Sequence, residues 1–263
     1  MPKTDRTILI IYLSETLIEK VQAKPMKLLK LAFRRETAMP MFALTFASGV
    51  CGALVVARIA WTRDFHYAFL IWNLFLAWLP LAFALLACEK YQQATIRNWR
   101  FIALAGAWLL FFPNAPYIFT DLIHLFRGFY THFWVDMVLI LSCALTGLVL
   151  GFLSLYLMHS LVRRIIGQWY GWLFIAAVTG LSGIGIYLGR FLRFNSWDVV
   201  VRPFKLCHGI GNLVAQPLAN PKSLAFAVLF ATFLFIAYVM LYALTHLEPA
   251  QPLALRAEPR KDR

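Results

Sequence analysis

The chain has 263 residues, of which 61% are hydrophobic and only 14% charged, and its formal net charge is +13. A soluble domain carries about 25% charge, and a mean hydropathy of +0.70 means more apolar surface than a soluble core of this size can hide. That excludes a soluble globular protein and leaves an integral membrane protein.

The first 39 residues are read as a basic cytoplasmic segment. The apolar stretch "ILIIYL" is short and no A-x-A-like site follows it, so no cleavable signal is expected. The run "KVQAKPMKLLKLAFRR" reads as a partly amphipathic helix on an anionic membrane surface. Positive charge is concentrated there and in the tail "RAEPRKDR". Because it flanks membrane segments, membrane lipids are the expected partner and nucleic acid is not.

Six runs are long and apolar enough, or nearly so, to cross a bilayer, which takes about 20 residues. They are Pro40–Ala60, Tyr67–Cys88, Arg97–Tyr117, Phe133–His159, Trp169–Gly189 and Lys222–His246. Most connections are short. The expected fold is all-α, a six-transmembrane-helix bundle over 40–247 with a short interfacial helix after a proline-broken third span, and a basic tail at 248–263. Cys51, Cys88 and Cys143 fall in spans and Cys207 in a loop, a usage that suits small core residues rather than a disulfide framework.

Lys and Arg set the orientation. With both termini in the cytoplasm, seventeen positive residues lie inside and eight outside. The last outer loop breaks the rule with Arg190, Arg193, Arg202, Lys205 and Lys222. Asp64, Asp121, Asp136 and Asp198 then fall at or near the outer side, as do His66, His124, His132 and His208. The expected topology puts both termini in the cytoplasm and a polar site on the outer side.

The third span carries the stretch "FFPNAPYIFTDLIHLF". From Trp99 to Phe112 is about 21 Å of helix, short of a hydrocarbon core about 30 Å thick. Pro113 and Pro116 each lack a backbone donor and disfavour helix in the residue before them. The helix is expected to break in the outer leaflet, either at a ligand site or as a short helix that ends in an interfacial loop. On an α-helix restarted after the break, Tyr117, Asp121 and His124 share one face, opposite Ile118, Phe119, Leu122, Ile123 and Phe126. A carboxylate beside an imidazole can orient a base, shuttle a proton or share a metal.

Counted from the outer ends, Asn73 in span two and Asp136 in span four lie at a similar depth. Asn73 either bridges two helices or joins the site. Asp136 is costly in lipid unless paired or hydrated. Span five has Gly180, Gly183, Gly185 and Gly189 for close helix approach, then Arg190, Arg193, Asn195, Trp197 and Asp198. The two arginines either snorkel to headgroups or form a clamp for phosphate or carboxylate. Alternatively they pair with Asp121 and Asp136.

"FFPNAPYIFTDLIHL", "GIGIYLGRFLRFNSWDV" and "FLIWNLFLAWLPL" together resemble the bacterial domain-of-unknown-function family 1361 over about residues 45–245. The resemblance implies a multi-pass bacterial membrane protein and brings no reaction with it. P-loop, zinc-ligand and G-x-S-x-G patterns are absent, so neither a metal nor another cofactor is expected. The candidate ligand-binding residues are Asn73, Asn114, Tyr117, Asp136, Arg190, Arg193, Asn195, Trp197 and Asp198, with Asp121 and His124 as proton-moving groups. Three functions follow: a protein that binds or acts on an anionic lipid or lipid-linked headgroup, a proton-coupled transporter, or a membrane scaffold.

Overall fold

The computed structural model describes residues 35–93, 99–127, 132–194, 196, 198–205, 208, 211 and 221–246. Most of the basic N-terminal segment, the tail at 248–263, Asn195 and Trp197 lie outside the described residues.

The described residues are helical and form no strand. The helices are α1 (Arg35–Thr62), α2 (Phe69–Gln93), α3 (Trp99–Phe111), α4 (Asn114–Tyr117), α5 (Phe133–Ile166), α6 (Gln168–Phe191), α7 (Asp198–Val201) and α8 (Pro221–Leu244). A 3-10 helix over Ile118–Arg127 follows α4. Six segments are long and apolar enough to span a membrane: Met39–Thr62, Phe69–Tyr91, Trp99–Leu125, Phe133–Ile166, Gln168–Phe191 and Leu224–Leu244.

Helix α5 is the hub. It is 34 residues long, about 51 Å at 1.5 Å per residue, and it packs on α1, α2, α4, the 3-10 segment and α6. Its small residues permit this. A Cβ added at Gly147 would lie 2.8 Å from the Ala115 carbonyl oxygen, and one at Gly151 would lie 3.0 Å from the Ala115 Cβ. So α4 sits directly on the α5 backbone. Helix α8 packs mainly on α6, where a Cβ at Gly183 would be 2.2 Å from the Ala227 carbonyl oxygen. Exposed Phe46, Trp72, Trp169 and Leu229 are ordinary for a lipid-facing surface.

The third span is interrupted at the prolines, as expected: α3 stops at Phe111 and α4 begins at Asn114. The interruption is a kink rather than an unwound loop: Phe112 N–H donates to the Trp108 carbonyl at 2.8 Å, and Tyr117 N–H to that of Pro113 at 3.0 Å. Pro113 itself has α-helical angles, φ −61° and ψ −21°. Beyond Tyr117 the chain tightens to three residues per turn. That replaces the expected α-helical faces: Ile118, Asp121 and His124 now line up. Ile118, expected on the face opposite Asp121, is fully buried against Gly147. Of the residues expected on that face, Ile123 is exposed to the surroundings.

Candidate functional site

The proline-bearing segment and the end of α6 meet, and glycines bring them together. A Cβ at Gly185 would lie 3.0 Å from the Pro113 ring, and one at Gly189 would lie 3.1 Å from the Tyr117 ring. The G-x-x-x-G pair therefore seats the kink of the third span, whereas Gly183 faces α8. Asn114 Nδ2 donates to Ser196 Oγ at 2.9 Å, and Ser196 Oγ donates to the Leu110 carbonyl at 3.2 Å. These bonds tie the same kink to the chain leaving α6.

Asp121 holds three elements at this junction. Asn73 Nδ2 of α2 donates to its Oδ2 at 2.8 Å, and Arg190 Nη1 of α6 to its Oδ1 at 3.0 Å. His124 Nε2 is 3.9 Å from Oδ1. Asp121 is 1% exposed, so its charge depends on these partners rather than on water. His124 packs on Phe69 and His66, with ring centroids 5.0 and 5.8 Å apart.

The junction closes one end of a cleft of about 840 Å³ between α2 and α3 on one side and α6 on the other. That volume lies within the usual ligand-site range of about 300–1,000 Å³. The cleft has two chemically distinct ends. Asn73, Asn114, Tyr117, Asp121, His124, Arg190, Arg193 and Ser196 line one, and Leu76, Gly106, Leu109, Leu181 and Ile184 line the other. Its apolar end is open sideways: the lining residues Leu109 and Leu181 are 36% and 52% exposed. Helices α3 and α6 meet where Trp108 stacks on Phe174, 5.7 Å between centroids, and the cleft fills the gap between them.

Arg193 sits at the polar mouth. It is exposed, and no hydrogen bond or ion pair holds it among the described residues. Its φ is +56°, a left-handed conformation costly for a residue with a Cβ. Phe194 N–H, donating to the Leu188 carbonyl at 3.2 Å, closes the turn. Arg63 ends α1 in the same conformation, so the turn is one way these helices finish. Only Arg193 borders the cleft.

Asp136 does not line the cleft. Arg58 grips it with Nε at 2.6 Å and Nη2 at 3.1 Å, and the Tyr67 hydroxyl donates to it at 3.0 Å. The expected pairing of Asp136 with Arg190 or Arg193 is thus replaced by a clamp joining α1 to α5. Burial, together with the bond to Asp136, pushes the Tyr67 phenol up to about 12. Sequence reasoning missed Arg58, although it lies one turn from the end of its span and so at the depth of Asp136. Asp198 is buried at the start of α7 and also lies off the cleft wall. Among the described residues, no group of three or more His, Cys, Asp or Glu side chains could hold a metal ion.

The family described as "Protein of unknown function (DUF1361)" matches over residues 72–237. That range contains Asn73, the proline segment and the end of α6, but neither Arg58 nor Tyr67. No curated protein and no solved structure matches the chain.

Proposed function

The chain belongs to the DUF1361 family, whose description assigns no activity, and from its own chemistry we propose that it binds the anionic headgroup of a membrane amphiphile at the polar end of the cleft. The carrying observation is Arg193, an exposed guanidinium at the mouth of a cleft whose other arginine is already matched by Asp121. Two arginines and one carboxylate in the cleft lining leave an excess of positive charge for an incoming anion. Arginine presents a planar fork suited to phosphate or carboxylate. The apolar far end supports an amphiphile over a free ion.

We place this end of the molecule on the outer face of a bacterial inner membrane, with both termini cytoplasmic. The Lys/Arg distribution supports that orientation. The gathering of polar groups at one end rather than at mid-membrane favours binding over alternating-access transport.

The test is competition between phosphatidylglycerol and phosphatidylethanolamine for the purified protein, read by native mass spectrometry. The wild type should retain phosphatidylglycerol preferentially, and Arg193→Ala should lose the preference. Equal retention of both lipids by the wild type would overturn the reading.

A further inference from the structure

The cleft has a depth as well as a charge. Arg190 and Leu181 are nine residues apart on α6, so the wall from polar to apolar end is about 14 Å long. That is close to half of a hydrocarbon core about 30 Å thick. The groove is therefore about one leaflet deep. Its sides at Leu109 on α3 and Leu181 on α6 open onto the lipid-facing surface.

Its floor on α3 is formed by Gly106. A Cβ there would meet nothing within 4 Å, and Gly106 is a cleft-lining residue. A glycine in a helix interior costs stability relative to alanine. At this position it keeps a wall flat next to Leu109 and opposite Leu181 and Ile184.

Resting on the headgroup reading, we propose that the occupant is a phospholipid of the surrounding bilayer. It enters sideways between α3 and α6, and one acyl chain lies over Gly106. The one-leaflet depth favours a phospholipid chain, which ends at mid-membrane. A longer polyprenyl chain would run past the point where α3 and α6 come together at Trp108 and Phe174. Gly106 is then the residue that sets which chains fit.

The experiment uses the full-length protein in detergent, with dioleoyl phosphatidylglycerol and its dihexanoyl counterpart as probes. Gly106→Leu should fill the groove. Gly180→Leu is the control, because Gly180 also has nothing within 4 Å of an added Cβ but does not line the cleft. Retention of the dioleoyl lipid should fall about tenfold in Gly106→Leu, the loss expected from about two displaced methylene contacts. Dihexanoyl binding and the Gly180→Leu variant should stay at wild-type levels. Undiminished dioleoyl binding by Gly106→Leu would overturn the proposal, as would an equal loss in Gly180→Leu or an equal loss of the dihexanoyl lipid. A Gly106 effect seen equally with phosphatidylglycerol and phosphatidylethanolamine would uphold the chain groove while removing the headgroup reading.

Discussion

Asp121 and Arg190 stand 69 positions apart in the chain and meet at 3.0 Å, with their side chains 2% and 16% exposed. This contact joins the kinked third span to the end of the fifth. Removing one member of a buried pair strands the other charge, at a cost of about 3–5 kcal/mol. Arg190→Ala should therefore lower the melting temperature in detergent sharply. The double variant Asp121→Asn/Arg190→Gln should recover much of the loss, and thermal melts of the wild type, Asp121→Asn, Arg190→Gln and the double variant, read as a double-mutant cycle, check this.

The Arg58–Asp136 clamp is expected to act on stability alone. Arg58→Ala should cost about 3–5 kcal/mol by the same argument, yet leave any lipid preference of the folded fraction intact, since neither residue borders the cleft. Lipid retention measured beside the melt separates the two effects.

Tyr67 adds an alkaline dependence. Its phenol is raised from 10.0 to about 12 in the folded protein. A group raised on folding stabilises most below its unfolded value, and that contribution is lost as pH climbs through the folded one. The stability difference between wild type and Tyr67→Phe should therefore shrink between about pH 10 and 12, measured by denaturation of both proteins across that window.

Two glycines one turn apart on α6 should behave oppositely. Gly183 has the Ala227 carbonyl oxygen 2.2 Å from an added Cβ, whereas Gly180 faces open space. Gly183→Ala should destabilise by about 1–3 kcal/mol through overpacking against backbone. Gly180→Ala should be neutral or stabilising by about 0.5–1 kcal/mol. Melting temperatures of both variants decide it.

Orientation is also open to direct measurement. In a cysteine-free background, Arg193→Cys should react with an impermeant maleimide on intact cells. Labelling only after detergent opens the membrane would put the cleft mouth on the cytoplasmic face and both termini outside.

Much of the architecture is legible in the sequence because lipid imposes simple rules. Apolar runs of span length mark the six crossings, and two prolines mark the irregular point in the third. The details that depend on three dimensions are not legible. Nothing local says that the residues after Tyr117 wind as a 3-10 helix, and that tightening brings Ile118 beneath Asp121 and buries both. The partner of Gly185 and Gly189 is equally hidden, because a G-x-x-x-G pair announces close approach without naming what approaches. The Arg58–Asp136 contact was within reach. An arginine and an aspartate at one depth in two spans each need a partner, but Arg58, Arg190 and Arg193 all lie near outer span ends and the sequence does not say which of them reaches Asp136. The meeting of the two motifs at Asp121 is a product of α5, whose glycines let the third span lie against its backbone.

The most direct test of anion binding at this cleft is Arg193→Gly, followed by thermal melting with and without phosphatidylglycerol. Glycine relieves the left-handed turn, so the lipid-free variant should gain about 1 kcal/mol. If Arg193 holds an anionic headgroup, phosphatidylglycerol should raise the melting temperature of the wild type and leave that of the stabilised variant unchanged. An equal lipid-induced rise in both proteins would contradict the claim that this arginine, at this cleft, is what the anion binds.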